Sequence, residues 1–196
     1  MRTIAAFDFD GTLTYRDTLI PFLTFLKGRS RTACALLKTA PHLIRFFTGE
    51  KSRQEVKETL LRNALGGDSY DACQKEGVHF SEMRLKALLR PEGIQKLLWH
   101  QNEGHETVII SANLDLYLET WGKQQNLTRV LCSQVAEREG KVSGKLVGLN
   151  CWGEEKVRRL LRWAGPKKEF TLWAYGDTRG DKPLLDLADY PFYRQF

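Results

Sequence analysis

At 196 residues, with 42% hydrophobic and 28% charged content, the chain can bury one sizeable core plus a modest insertion, which excludes disordered and fibrous classes. Thirty Lys and Arg against 24 Asp and Glu leave a net charge of +6, favouring anionic partners: phosphorylated metabolites, nucleic acid or acidic lipid headgroups. No apolar run approaches the ~18 residues of a membrane span, and no signal peptide precedes the first strand, so a cytoplasmic location is expected. Cys34, Cys73, Cys132 and Cys151 form no C-x-x-C pair, so mostly buried thiols are expected, with neither a zinc site nor a disulfide scaffold. His42, His79, His100 and His105 are equally scattered and read as satisfied or solvent-facing.

The run Ile4-Ala5-Ala6-Phe7, bounded by a loop signal at Gly11, reads as a buried strand delivering Asp8 and Asp10 to its C-terminal end. A period of two sends both carboxylates to one side and turns Phe9 toward the core. Carboxylates this close repel one another, which implies a divalent metal, a general acid, or both. The next convincing strand, Glu106 to Ile110, lies far beyond the dozen or so residues that a parallel crossover needs. An insertion must lie between.

That insertion is helical in pattern. Leu19 to Lys27 is apolar and aromatic, and Thr32 to Phe47 has helical spacing with a kink or split expected at Pro41. Ser52-Arg53-Gln54-Glu55 is a capping box opening a helix through Leu65, stopped by Gly66-Gly67. A further helical region runs from about Ser69 to Leu89 with Gly77 as a weak point, and Pro91 opens another helix ended by Gly104. Residues 15–90 are thus expected to form a helical cap over the strand ends, with residues 1–14 and 91–196 as the core. Phe22, Phe25, Phe46 and Phe47 read as core rather than substrate contacts, and Lys27, Arg29 and Arg31 either as a solvated run or as a contact for phosphate or an acidic membrane.

At Ser111-Ala112-Asn113 the second strand is expected to turn into a helix carrying Leu114, Leu116, Leu118 and Trp121. Ser111 is then an N-cap at a helix N-terminus, where free N–H groups favour an anion. Val130 to Cys132 is a candidate third strand, and Val135 to Leu149 a β-hairpin turning at Glu139-Gly140. Gly153 to Lys156 opens an amphipathic helix stopped by Gly165-Pro166; Lys156 works against its macrodipole, which a nearby anion would relieve. Phe170 to Tyr175 is a last apolar strand, again ending in acids, in Gly176-Asp177-Thr178-Arg179-Gly180-Asp181.

Asp8-Phe9-Asp10-Gly11-Thr12, followed in order by Ser111, Lys156 and the Gly-Asp-x-x-x-Asp string at Asp177, resembles the haloacid dehalogenase superfamily over nearly the whole chain. The insertion, the hairpin before Lys156 and the placement of Asp17 are similar to its phosphoserine-phosphatase-like branch. The resemblance implies an α/β fold, a Rossmann-like parallel sheet with a helical cap and a hairpin flap, and a Mg²⁺-dependent phosphatase of a small phosphorylated substrate. It implies Asp8 as nucleophile and metal ligand, and Asp10 as general acid and base with its carbonyl on the metal. It also implies Asp177 as a further ligand, Asp181 in support, and Ser111, Ala112 and Lys156 around the phosphate; Thr12, Asp17 and Arg179 are candidate substrate contacts.

Two departures bear on substrate. Asp17 stands where phosphoserine phosphatases carry Glu, and Thr178, Arg179 and Gly180 replace the usual Gly-x-Asn, adding a cation. Three readings stay open. The first is a phosphatase of soluble metabolites. The second is a lipid phosphatase, of the phosphatidylglycerophosphate kind, in peripheral contact with a membrane through the apolar and basic stretch Leu19 to Phe47. The third is a non-catalytic module binding phosphorylated ligands. Basic and aromatic residues are too diffuse to specify nucleic acid.

Overall fold

A computed structural model of the chain describes residues 2–196. Five parallel strands form the central sheet in the order β3-β2-β1-β6-β7, with β1 (Arg2–Phe7) in the middle, flanked by β2 (Glu106–Leu114) and β6 (Phe170–Gly176). The edges are β3 (Arg129–Ser133) and β7 (Tyr190–Tyr193). Side chains of β1 alternate between the two faces. Ala5 and Phe7 join Ile109, with Leu97 of α4 (Pro91–Asn102) and Trp121 of α5 (Asp115–Gln124). Ile4 and Ala6 join Val108 and Ile110, with Leu160 of α6 (Glu154–Ala164) and Leu184 of α7 (Lys182–Leu187). Burial on both faces is why β1 reads as an unbroken apolar run.

Between β1 and β2 the chain builds α1 (Leu19–Phe47), α2 (Arg53–Leu65) and α3 (Tyr70–Met83), followed by a short 3₁₀ turn at Leu85–Leu88. The outgoing and returning segments run side by side: the Tyr15 N–H donates to the Leu88 carbonyl at 2.9 Å and the Arg90 N–H to the Leu13 carbonyl at 2.8 Å. The hairpin β4 (Val135–Arg138) and β5 (Lys141–Leu146) turns at Glu139 and Gly140, both at positive φ, as a two-residue primed turn requires. It packs on α2, where Lys145 pairs with Glu58 at 2.8 Å.

Four expectations are corrected. The break in α1 falls at Gly28 (φ 77°, ψ 165°), and the helix continues through exposed Pro41, whose lost N–H bond lies on the solvent side. Gly77 is a contact point rather than a weak one: α3 crosses α5 so closely that a Cβ there would overlap the Leu116 carbonyl. β2 runs on to Leu114, so Ser111 is not an N-cap; Asn113 Oδ1 accepts from the Leu114 N–H at 2.9 Å and keeps the chain extended before α5. Among the phenylalanines, Phe22 and Phe25 enter the core, Phe46 lines a cavity and Phe47 is exposed. Cys34 is likewise exposed while the other three cysteines are buried. β7 was not legible: Tyr-Pro-Phe-Tyr is short and interrupted by a proline, which an edge strand tolerates.

Candidate active site

The parallel register sets Phe7 opposite Ile109 and Tyr175, so β1, β2 and β6 all deliver residues to the same, carboxyl end of the sheet. β1 ends at Phe7, leaving Asp8 and Asp10 in the loop beyond it rather than on the strand, while Phe9 is fully buried as expected. The loop is pinned by the Asp8 N–H donating to the Tyr175 carbonyl at 2.9 Å, and it turns at Gly11 with φ 84°. A side chain at Gly11 would be strained by that dihedral, and its Cβ would overlap the Asp177 carboxylate.

A cavity of about 360 Å³ opens above this end. Asp8, Asp10, Ser111, Ala112 and Lys156 line it from the sheet side, and Asp17, Leu43, Phe46, Arg53 and Lys57 from the helical insertion. Lys156, 2% exposed, donates to Asp8 Oδ1 and to Asp181 Oδ1, both at 2.5 Å. Asp181 Oδ2 in turn accepts from the N–H groups of Asp177 and Thr178 and from the Thr178 hydroxyl at 2.7 Å. One oxygen each of Asp8, Asp177 and Asp181 lies within 4.8 Å of the others, a set that could hold a metal ion.

One ammonium cannot neutralise this cluster. Burial pulls the Lys156 pKa down, yet the charges of Asp8 and Asp181 outweigh it and raise it. Asp181, despite burial, is held below the usual carboxylate range by Lys156 and the Thr178 hydrogen bonds. Burial pushes Asp8 up to about 8 against the pull of Lys156, and pushes Asp177 up with the Asp181 charge adding to it. Lys156 and Asp8 are both raised although they form one ion pair, because burial and the charges of Asp181 and Asp10 outweigh the pull of Lys156 on Asp8. The residual negative charge and all-oxygen donor set suit a hard divalent cation such as Mg²⁺.

Asp10 is held apart from that cluster. Its Oδ1 accepts from the Thr18 N–H at 3.0 Å and the Thr18 hydroxyl at 2.7 Å, and its Oδ2 from Asn113 Nδ2 at 2.5 Å. The Thr18 hydroxyl also meets the Tyr117 hydroxyl at 2.8 Å. Burial and the charge of Asp17 push Asp10 up to about 7, against these hydrogen bonds. Two carboxylates at the first and third positions of one loop therefore sit in different surroundings.

The remaining expected residues divide. Ser111 Oγ accepts from the Asn113 N–H at 3.0 Å, at the cavity wall. The Asp17 carboxylate accepts from the Leu19 N–H at 2.9 Å, where it steadies the start of α1, and also lines the cavity. Thr12 is buried and donates to Asp177 Oδ1 at 3.3 Å, so it props a carboxylate instead of facing a substrate. Arg179 is exposed and lies outside the lining, because the turn after β6 points it to solvent.

Residues the sequence did not suggest complete the wall. Asn113 and Thr18 fix Asp10, and Lys57 donates to the Ala112 carbonyl and to Asn150 Oδ1. Burial brings Lys57 down to about 8. Arg53, Val56, Lys57 and Leu60 form one face of α2, a periodicity visible in the sequence, but what that face meets is set by the fold.

Residues 5–186 match the model of the haloacid dehalogenase-like hydrolases. Protein CicA of Caulobacter vibrioides (strain NA1000 / CB15N) is 33% identical over 198 residues, covering 98% of this chain and 86% of that protein. A protein of unknown function from Bordetella pertussis Tohama I superposes with a TM-score of 0.84 at 22% identity, covering 97% of this chain and 89% of that one. A phosphoserine phosphatase solved as a phospho-aspartyl intermediate analogue superposes with a TM-score of 0.62 at 16% identity, over 95% of this chain and 83% of that one. The chain therefore belongs to the haloacid dehalogenase-like hydrolase family and has the fold of its phosphoserine-phosphatase-like members.

Proposed function

We propose that the chain is a Mg²⁺-dependent phosphomonoesterase that works through an aspartyl-phosphate on Asp8. The observation that carries this reading is the pairing of two loop carboxylates of unlike environment, Asp8 against a cation and further acids, Asp10 against neutral donors, at the floor of one cavity. Such a division of surroundings is how two similar groups take up nucleophilic and acid–base roles.

In this reading Asp8 attacks the phosphorus while Asp10 gives its proton to the leaving alcohol, then accepts one from the water that hydrolyses the intermediate. A carboxyl pushed up to about 7 can do both near neutral pH. The Ser111 hydroxyl and the Lys156 ammonium hold phosphoryl oxygens, with the Ala112 backbone beside them. Mg²⁺ would be held by Asp8, Asp177 and the Asp10 carbonyl, with Asp181 in support, and would reduce the repulsion between nucleophile and phosphate dianion. In this reading residues 15–90 act as the cap, and Arg53 and Lys57, which line the same cavity, would meet an anionic part of the substrate.

The test is phosphate release by the purified protein with Mg²⁺ across phosphoserine, sugar phosphates, nucleotides and a phosphorylated lipid. Asp8→Asn should be inactive while melting as the parent does. Full activity in that variant, or release indifferent to chelation of Mg²⁺, would refute the mechanism.

A further inference from the structure

The second half of α1 is amphipathic in the wrong sense for a helix packed only in its own fold. Its inner face, against α2, buries the small residues Thr32, Ala35 and Thr39. Its outer face carries the large ones: Leu37 is 75% exposed, Ile44 65% and Phe47 78%. Positions 37, 44 and 47 fall on one stripe of a helix, and Leu36 and Leu43, also exposed, widen it on one side.

Arg31, Lys38 and Arg45, at seven-residue intervals, form a basic row on the other flank of that stripe. From Leu19 to Phe47 the helix has five Lys and Arg and no acidic residue. Residues 15–90 hold fourteen Lys and Arg against eight Asp and Glu, so the entire net charge of +6 resides in the insertion and the rest of the chain is neutral. Among the described residues no helix is long and apolar enough to cross a membrane.

From these observations we infer that the outer face of α1 docks on an anionic lipid bilayer, with Leu37, Ile44 and Phe47 entering the headgroup boundary and Arg31, Lys38 and Arg45 meeting lipid charge. A large apolar face, a flanking cationic row and low overall hydropathy are what a helix lying in an interface requires. A second copy of the chain fits poorly, because a two-fold contact would set two acid-free basic helices against each other. The surface also adjoins the cavity described above: Leu43 and Phe46 line it while the next residues, Ile44 and Phe47, face outward. Docking would hold the cavity mouth near the lipid surface whatever the chemistry at Asp8.

The test is co-sedimentation of the full chain with vesicles of phosphatidylcholine alone and of phosphatidylcholine mixed in equal parts with phosphatidylglycerol. Binding is expected only to the mixed vesicles, and should fade as salt is raised. The triple variant Arg31→Gln, Lys38→Gln, Arg45→Gln should partition about a hundredfold less, at roughly fivefold per cation removed. Leu37→Ser, Ile44→Ser, Phe47→Ser should abolish binding. Both sets are exposed, and thermal melts like the parent's would show that the fold is kept. The inference is overturned by no binding to mixed vesicles at low salt, by equal binding to both compositions, or by folded variants that bind as the parent does. It is also overturned if the parent is a dimer that the apolar variant dissociates, or if polyglutamate binds as tightly as the vesicles, which would assign the face to a second copy or to an acidic protein.

Discussion

Replacing Asn113 by Ala tests whether Asp10 is the proton donor: it removes a hydrogen bond to that carboxylate from outside the loop, together with the bonds of Asn113 to the Thr18 hydroxyl and the Leu114 N–H. Asn113 Nδ2 donates to Asp10 Oδ2 at 2.5 Å, and that bond favours the charged carboxylate. Removing it must therefore raise the Asp10 pKa from about 7. A hydrogen bond to a charged group contributes about 1.5–3 kcal/mol, of which Thr18 and entering water recover part, so a rise of about one unit is expected. A general acid has to be protonated in the first step, so kcat/KM should fall on the alkaline side as Asp10 ionises. The variant should carry that alkaline limb about one unit higher. The assay is the pH profile of kcat/KM for parent and variant on one substrate with saturating Mg²⁺, alongside thermal melts of both. An alkaline limb that stays in place in a folded, active variant would refute the assignment of Asp10. A limb moving to lower pH would show that the hydrogen bond favours the neutral acid instead.

Lys156→Met leaves the buried Asp8 and Asp181 carboxylates without their shared cation, which should cost about 3–5 kcal/mol and lower the melting temperature by about 10 °C. Mg²⁺ should raise the variant's melting temperature more than the parent's; a variant melting like the parent without Mg²⁺ would contradict the charge accounting of the site. His100 is fully buried between the Tyr175 hydroxyl and His105, and burial lowers its pKa to about 3. A depressed folded pKa means that the unfolded chain binds the proton first, so stability falls as pH drops below about 6.5, by about 2 kcal/mol at pH 5. Denaturant titrations at pH 7 and pH 5 should show this loss in the parent and not in His100→Gln; an equal loss in both would assign it to other groups.

The residues of the candidate site were legible because their chemistry is unusual where it stands. An apolar strand that ends in paired acids, Asp8 and Asp10 or Asp177 and Asp181, conflicts with ordinary core patterning and so announces itself along the chain. Ser111 lines the cavity for a reason other than the expected one: β2 runs past it to Leu114 and the helix does not begin until Asp115, since Asn113 satisfies the local backbone. Arg179, expected as a substrate contact, stands in solvent, because only the turn after β6 decides whether that side chain meets the cavity.

By itself the sequence determined the parallel core, the interrupting helices, the hairpin turn at Glu139-Gly140 and the identity of the acids, all of which rest on short-range periodicity, turn chemistry and motif spacing. Only the tertiary structure decided how those acids divide. Asp181 joins Asp8 and Asp177 around Lys156, whereas Asp10 turns away to Thr18 and Asn113. It also decided which faces of the insertion matter, setting Arg53 and Lys57 into the cavity and leaving Leu37, Ile44 and Phe47 outside. The reason is physical: a periodic pattern shows that a helix has two faces, but what each face meets depends on partners distant in sequence, and burial and charge are properties of that meeting.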